Sequence, residues 1–202
     1  MTAIIDYGVG NLHSLISAIG ELGAKCVVTA NEQELQKADR IILPGVGAFG
    51  DAINKLREQG LENTVKELAS SNKPFLGICL GMQLLYDSST EHGEHIGVGL
   101  VQGSVTRFEQ KKVFPGKIPH MGWNALEITT ASPILKYTSN GDYVYYVHSY
   151  FAPPSQYSIA ISTYGQQKIT GIVQKDNIFG TQFHPEKSGK VGLAILKAFL
   201  EV

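Results

Sequence analysis

The segment FLGICLGMQLL, residues 75–85, constrains the fold more than any other part of the chain. Its apolar residues before Cys79 predict the end of a buried strand, and those after it predict the start of a buried helix. Gly77 and Gly81 allow strand and helix to approach closely through a sharp turn, which is the nucleophile-elbow pattern with cysteine at its centre. Such a turn lifts the thiol out of a sheet to a helix N-terminus, which favours thiolate.

A buried structural cysteine is the alternative interpretation of Cys79, because free cysteine is among the most buried residue types. The glycine frame and a histidine motif further along the chain favour a nucleophile. The other cysteine, Cys26, lies in the apolar run AKCVV and is interpreted as an ordinary core-strand residue. Two cysteines cannot form a disulfide scaffold, so we expect a reducing, cytoplasmic location.

The length and charge of the chain limit the kinds of fold and partner it can have. The 202 residues suit a single domain, 1–202, with a sizeable core. The 17 basic and 18 acidic side chains nearly balance, which argues against a nucleic-acid partner. No stretch approaches the roughly 20 apolar residues of a membrane span, and we expect no membrane association.

The segment EHGEH, 91–95, lacks the spacing of a helical metal site, so we interpret it as a polar loop and predict no metal or cofactor.

Strands and helices alternate in the first half of the chain. Strands are predicted at 3–5, 26–28, 40–43 and 76–78, and helices at 11–22, 51–59 and 61–70. This alternation predicts an α/β fold with a largely parallel sheet covered by helices on both faces. Ligands bind such sheets beyond the carboxyl ends of the strands, where Cys79 and the glycine-rich run 44–47 both lie.

The second half of the chain differs in composition and pattern, with short alternating runs rich in Tyr, Val, Ile, Thr and Gly. Strands are predicted at 101–108, 143–147, 158–163, 171–174 and 178–182, followed by a helix at 191–200. Several of these strands are expected to be antiparallel. No linker separates the halves, so the smaller antiparallel portion is expected to belong to the same domain.

The segment GTQFHPEKS, residues 180–188, supplies a base for the thiol. His184 follows the last predicted strand, and Pro185 favours an extended backbone at His184. Residues two apart on an extended segment face the same way, so Glu186 is expected to accept the second ring N–H of His184. A turn histidine without a chemical role is the alternative, but the elbow makes Cys79, His184 and Glu186 a candidate catalytic triad.

The run Pro44-Gly45-Val46-Gly47 provides a site for negative charge. Glycines let the backbone come close to a ligand and turn an N–H toward it. The N–H of Leu80, just after the thiol, is the expected first oxyanion donor, and that of Val46 or Gly47 is the second. The alternative is a tight turn between a strand and a helix.

Further segments extend the pattern along the chain: DYGVGNL (6–12), KIPHMGWN (117–124), YVHSY (146–150) and QFHPEKS (182–188). With the elbow, they give a chain that resembles the class I (triad) glutamine amidotransferases over essentially its whole length. It is most similar to the branch formed by the glutaminase subunits of imidazole glycerol phosphate synthases. The elbow and the His-Pro-Glu run identify only the class, whereas the segments at 117–124 and 146–150 are more specific.

The resemblance implies that Cys79 attacks the carboxamide of glutamine and that ammonia leaves from a cysteinyl thioester. It also implies a (β/α)8-barrel cyclase as heterodimer partner, which uses the ammonia to make imidazole glycerol phosphate and aminoimidazole carboxamide ribotide. The residues matched to glutamine binding are Gly47, Gln83, His148, Ser149 and Tyr150. The residues matched to the partner interface are Asn11, His120, Met121, Trp123, Asn124 and Lys187.

Several alternatives remain open at the level of sequence. Trp123 could be a core aromatic residue on a strand, and Lys187 a solvated surface lysine. The chain could feed ammonia to a different synthase, or be a non-catalytic cysteine sensor of similar fold. Gln83 and Glu186 argue against the sensor. We also expect low glutaminase activity without the partner, because an oxyanion N–H must first turn inward.

Overall fold

The computed structural model describes residues 1–112 and 117–202. Its strands are β1 (Thr2–Ile5), β2 (Cys26–Thr29), β3 (Arg40–Leu43), β4 (Phe75–Ile78), β5 (Tyr86–Ser89), β6 (His95–Ile96), β7 (Val101–Arg107), β8 (His120–Ala125), β9 (Glu127–Ile128), β10 (Tyr143–His148), β11 (Tyr150–Phe151), β12 (Ser158–Tyr164), β13 (Gln167–Lys175) and β14 (Ile178–Thr181). Its helices are α1 (Leu12–Glu21), α2 (Glu32–Lys37), α3 (Phe49–Glu58), α4 (Leu61–Ser70), α5 (Leu80–Leu84) and α6 (Gly189–Leu200). Short 3₁₀ turns lie at Gln110–Lys112, Pro133–Leu135 and Pro185–Lys187.

Within the described residues, eight strands form a central sheet in the order β2-β1-β3-β4-β14-β13-β12-β9. The first five of these are parallel, and β13, β12 and β9 continue the sheet in antiparallel pairs. A four-stranded sheet, β11-β7-β5-β6, and an antiparallel pair, β10-β8, pack beside it. The predicted fold class, a largely parallel sheet with a smaller antiparallel portion, is confirmed.

The parallel strands are apolar throughout because both of their faces are buried. Ile41 and Leu43 of β3 point into one core, which α2, α3 and α4 cover, whereas Ile42 points into a second core that includes α1 and α6. Strands buried on both faces lose the polar-apolar alternation of a half-exposed strand. This is why short apolar runs located these strands correctly in the sequence. No helix in the described ranges is long and apolar enough to cross a membrane.

Several elements had no counterpart in the sequence predictions. Helix α2 is short and polar, and its start depends on Asn31, whose side chain accepts the Glu34 N–H at 3.1 Å. Strands β5, β6, β8, β9 and β11 were also missed, and β13 begins four residues before its predicted start. These are short strands whose pairing depends on partners distant in the sequence, which weakens any local signal.

Strand order brings the three chemical segments together. Cys79 follows β4, the 44–47 run follows β3, and the His184 turn comes after β14. Strands β3, β4 and β14 are parallel neighbours, with Ile78 of β4 opposite Thr181 of β14. The carboxyl ends of these strands therefore place nucleophile, loop and histidine at one sheet edge, as expected for an α/β sheet.

The glycines of the elbow are required by space. A Cβ on Gly77 would lie 2.7 Å from the backbone N and Cα of Met82, and a Cβ on Gly81 would overlap the carbonyl oxygen of Leu43. The strand-to-helix turn and the end of β3 are therefore in backbone contact. No residue with a side chain fits either position without moving the backbone.

Replacing Gly81 by Ala should destabilise the chain by at least about 3 kcal/mol, because backbone rather than a flexible side chain blocks the added methyl group. Gly20 in α1 is the matched control, since no atom lies within 4 Å of the position of its Cβ. Gly20→Ala should be neutral or stabilising by up to about 1 kcal/mol. Urea unfolding of both variants measures the difference, and equal midpoints would contradict the contact.

Candidate active site

Cys79 occupies a strained backbone conformation between β4 and α5. Its φ is 54° and its ψ is −109°, in a region that residues other than glycine rarely adopt. The Cys79 N–H donates to the Thr181 carbonyl at 2.7 Å, and the Cys79 carbonyl accepts the Gln83 N–H at 3.1 Å. These bonds tie the turn to β14 on one side and to α5 on the other. The residue is 7% exposed and lines the cavity described below.

His184 and Glu186 form a buried hydrogen-bonded pair. The distance between His184 Nδ1 and Glu186 Oε1 is 2.8 Å, and both side chains are only 4% exposed. His184 is extended, as Pro185 predicts, with φ −93° and ψ 102°. Glu186 lies in the 3₁₀ turn Pro185–Lys187 rather than on an extended segment. The predicted contact is present, but a turn brings the two side chains together.

The surroundings of His184 favour its charged form. Burial lowers the pKa of His184, but hydrogen bonds to Cys79 and Glu186 and the negative charges of both groups raise it to about 10. At neutral pH the ring is therefore an imidazolium, with Nδ1–H donated to the Glu186 carboxylate and Nε2–H available to the thiol. This arrangement stabilises a thiolate and stores a proton beside it.

Ser188 fixes the His184 turn to the neighbouring strand. Its hydroxyl donates to the His184 carbonyl at 2.7 Å and accepts the Tyr145 N–H at 2.9 Å. The His184 N–H in turn donates to the Tyr145 carbonyl at 3.1 Å. Two hydrogen bonds thus join the turn to β10, and a third closes the turn itself. Sequence reasoning assigned Ser188 no role, although it lies in the same motif as His184.

A cavity of about 200 Å³ opens over the thiol. Its lining residues are Val46, Gly47, Cys79, Leu80, Gln83, Glu91, Val147, His148, Ser149, Tyr150 and His184. The volume is below the usual range for drug-sized ligands, which suits a single small molecule. Every residue predicted for the oxyanion site or for substrate binding lies in this lining, beside two members of the triad.

The comparisons with known proteins address the whole chain. Residues 3–202 match the family described as "Glutamine amidotransferase class-I". The chain belongs to this family. It is 47% identical to the Imidazole glycerol phosphate synthase subunit HisH of Listeria monocytogenes serotype 4a (strain HCC23), with 100% of this chain and 96% of that protein aligned. The HisH subunit of Lactococcus lactis subsp. lactis (strain IL1403) is 49% identical over 98% of this chain and 96% of its own length.

Solved structures share the fold at lower sequence identity. A chain from the structure of PurLQS from Thermotoga maritima superposes with a TM-score of 0.76 at 19% identity, covering 99% of this chain and 97% of that one. A second structure, described as a glutamine amidotransferase, gives a TM-score of 0.74 at 18% identity, with 98% and 97% covered. These structures support the class I architecture alone.

Glu91 is a lining residue of this glutamine amidotransferase that sequence reasoning missed. Its Oε2 accepts the N–H of Phe49, the first residue of α3, at 2.7 Å. Glu91 was interpreted as part of a polar loop because the EHGEH segment lacks the spacing of a helical metal site. Only the packing of that loop against α3 brings its carboxylate to the cavity.

The described part of the chain contains no cluster of three or more His, Cys, Asp or Glu side chains suited to a metal ion.

The His148 ring is hydrogen-bonded within the protein. It lines the cavity, but its Nδ1 is 2.9 Å from the Tyr150 carbonyl oxygen and its Nε2 is 3.0 Å from Nδ1 of His120. Both ring nitrogens are used inside the protein, and the predicted role of the 148–150 segment in holding glutamine stays a prediction. The neighbouring Ser149 and Tyr150 retain their predicted place in the lining.

The predicted interface residues divide between the two faces of β8. Met121 and Trp123 are 62% and 56% exposed. His120 is only 2% exposed, and Asn124 donates its side-chain N–H to the Thr163 carbonyl at 3.0 Å. Successive residues of a strand point to opposite faces, so His120 and Asn124 lie on the face opposite Met121 and Trp123, with His120 buried and Asn124 half-buried. Their predicted place at or near a partner interface stays a prediction.

Asn11 and Lys187 remain exposed, on either side of the catalytic pair. Asn11 borders a narrow crevice that Val46, His184 and Glu186 also line. Lys187 directly follows Glu186 in the 3₁₀ turn. Both lie at the surface next to the reacting groups, so their predicted contact with a partner stays a prediction.

Glu186→Gln should move the alkaline limb of kcat/KM for glutamine to lower pH. The substitution removes a charge and a hydrogen-bond acceptor that raise the His184 pKa, so imidazolium is lost earlier as pH rises. At neutral pH the rate should fall about 100-fold, the usual scale of general acid–base catalysis. Glu91→Gln, which changes a carboxylate of the same cavity, should leave the alkaline limb in place. An unmoved limb in Glu186→Gln would show that the pair does not control His184.

Proposed function

We propose that this chain is the glutaminase subunit of an imidazole glycerol phosphate synthase, hydrolysing glutamine and passing the ammonia to a cyclase subunit. The observation that carries the proposal is the placement of Cys79 beside the charged His184–Glu186 pair, at one end of the cavity. The HisH relatives, 46–49% identical over nearly the full length, support the choice of synthase. The free thiols fit a reducing compartment such as the cytoplasm.

The cavity has complementary groups for each part of glutamine. The carboxylate of Glu91 suits the α-ammonium group, since it is the acidic side chain in the described lining. Backbone N–H groups near Gly47 and Ser149 suit the α-carboxylate. Gly47 has a φ of 97°, a conformation that glycine adopts readily and that can turn its peptide toward the ligand. Gln83 then borders the side chain, whose carboxamide reaches Cys79.

The reaction proceeds in two balanced steps. In the first, the Cys79 thiolate bonds to the carboxamide carbon, and the oxyanion is stabilised by the Leu80 N–H and that of Val46 or Gly47. His184 gives its proton to the leaving nitrogen, and ammonia departs from a γ-glutamyl thioester. In the second step, the neutral imidazole takes a proton from water, which attacks the thioester. Glutamate leaves, and the thiolate–imidazolium pair is restored.

Ammonia is a nucleophile only when unprotonated, and at neutral pH free ammonia is mostly ammonium. A glutaminase that supplies a synthase therefore benefits from a covered path to its partner. The outer face of the β8–β10 pair offers a docking surface beside the cavity, with Met121, Trp123 and Tyr143 each more than half exposed. Exposed apolar and aromatic residues in one patch are typical of protein interfaces. We assign this face to a (β/α)8-barrel cyclase.

Cys79→Ala should abolish glutamine-dependent formation of imidazole glycerol phosphate but spare the complex. The substitution removes the nucleophile and its negative charge without adding volume to a buried site. With ammonium salts supplied, the cyclase in the complex should therefore work at the wild-type rate. Loss of the ammonium-dependent reaction would contradict the division of labour between the subunits. Wild-type chain that does not hydrolyse glutamine in the complex would contradict the proposed function itself.

Trp123→Ala should weaken binding of the cyclase by about 2 kcal/mol, roughly thirtyfold in Kd, the scale of an interface hot spot. Tyr137→Ala is the matched control, because Tyr137 is also an exposed aromatic residue but bonds to Glu201 beyond the end of α6. Trp123 lies instead beside Gly189, the first residue of that helix. Titration by calorimetry gives both constants, and equal effects would place the interface elsewhere.

A further inference from the structure

A chain of hydrogen bonds runs from β8 to the nucleophile through two buried histidines. On the β8 side, Asn124 Nδ2 lies 3.3 Å from His120 Nε2, His120 Nδ1 lies 3.0 Å from His148 Nε2, and His148 Nδ1 lies 2.9 Å from the Tyr150 carbonyl oxygen. Gln83 Nε2 donates to the same carbonyl at 2.9 Å and to Gln182 Oε1 at 3.0 Å. The last link is from Gln182 Nε2 to Cys79 Sγ, at 3.9 Å. Among these groups, only Cys79 takes part in the two chemical steps above, and only Gln83 also borders the substrate.

The end of this chain near the cavity fixes the direction of its bonds. The Tyr150 carbonyl can only accept, so His148 must carry its proton on Nδ1. In a neutral ring Nε2 of His148 then has only a lone pair, and it must accept from Nδ1–H of His120. Both rings are therefore Nδ1–H tautomers, and Nε2 of His120 is left as an acceptor.

The far end fixes the same direction independently. Asn124 Nδ2 donates to the Thr163 carbonyl at 3.0 Å, and Asn124 Oδ1 accepts the Ala125 N–H at 2.9 Å. The side-chain amide cannot flip without losing both bonds, so its nitrogen faces Nε2 of His120. That nitrogen must accept, which agrees with the assignment from the other end.

Packing favours the uncharged pair. The His120 ring stacks on Tyr164 and Tyr146, with ring centroids 4.0 and 4.7 Å apart, and Phe108 contacts both histidines. Burial lowers the pKa of His120 to about 4 and that of His148 to about 3. A proton added to either ring would set an N–H against another donor. The geometry and the burial thus require the same neutral state.

The Tyr150 carbonyl connects the hydrogen bonds of the histidine pair to those of the nucleophile. It accepts from His148 and from Gln83, which uses both of its lone pairs. Gln83 therefore presents its nitrogen to Oε1 of Gln182, and the Gln182 nitrogen faces the Cys79 sulfur. A donor toward sulfur favours thiolate over thiol.

We propose that His120 and His148 are positioning residues, whose neutral Nδ1–H pair holds the Tyr150 carbonyl, and through it Gln83 and Gln182, in place for glutamine and for the Cys79 thiolate. The catalytic readout of this inference rests on the proposed function. The hydrogen-bond order itself does not, so the two can fail separately.

The first test is made on the wild-type chain. Long-range ¹H–¹⁵N NMR spectra at neutral pH should show both rings neutral, with the proton on Nδ1 in each. An Nε2–H tautomer or an imidazolium at either position would overturn the inference. This measurement needs neither activity nor a variant, so it decides the hydrogen-bond order even if a substituted chain does not fold.

The second test compares two substitutions of His120 in the complex with the cyclase. His120→Phe keeps the stacking on Tyr146 and Tyr164 but removes both hydrogen bonds. His120→Asn loses the stacking, yet its side-chain nitrogen can take the place of Nδ1 and donate to His148. KM for glutamine should rise about tenfold in His120→Phe and less than about threefold in His120→Asn, although the asparagine variant has the lower Tm.

Tyr146→Phe is the matched control. It removes a buried hydrogen bond to Ser162 next to His120 but leaves the chain of bonds intact. It should lower Tm without raising KM. If KM rises in proportion to the loss of Tm in all three variants, the positioning role is overturned, because packing alone would then explain the effect. Failure of the wild-type complex to hydrolyse glutamine would count against the proposed function and leave the NMR result unaffected.

Discussion

The candidate site depends on a backbone contact at the carboxyl ends of β3 and β4. Gly81 packs on the Leu43 carbonyl, and a Cβ on Gly45 would lie 2.6 Å from the Gly81 nitrogen. This contact holds the 44–47 loop directly against the turn that carries Cys79. Parallel pairing of β4 with β14 then brings the His184 turn to the same edge. Three short segments, distant in sequence, meet here because glycine lets their backbones approach more closely than any residue with a side chain would allow. The strain at Cys79 is sustained by the burial of α5 and by the bond to Thr181.

Strand β8 serves two purposes on its two faces. Its outer face carries Met121 and Trp123, which are exposed, and its inner face carries His120, which is buried. This inverts the usual arrangement of apolar residues inside and polar residues outside. The inversion fits a strand whose outer face a partner covers and whose inner face is a hydrogen-bonded polar network. Because β8 pairs with β10, which also anchors the His184 turn through Ser188, the exposed outer face of β8 and the His184 turn are joined through one strand.

Local chemical motifs predicted the elbow and the contact between His184 and Glu186, because the residues that make them are close in sequence. The buried parallel strands were found for a similar reason, since burial on both faces leaves a continuous apolar run. Glu91 was missed because only tertiary packing brings its loop to the cavity. The burial of His120 could not be predicted, because it depends on packing against Tyr146 and Tyr164, which are distant in sequence. Residues 113–116 lie outside the described structure, and no prediction depended on them.

The three histidines near the thiol differ in charge because their partners differ. His184 meets a carboxylate and a thiol, which raise its pKa, whereas burial lowers the pKa of His148 and its neighbour His120. The charge of His184 also lowers the pKa of His148. A second imidazolium in this cluster would repel the first and would compete with it for the thiolate. Glutamine adds a further positive charge with its α-ammonium group, which the Glu91 carboxylate can balance. The site therefore works with one charged histidine, because burial and the hydrogen-bond order of the other two favour their neutral state.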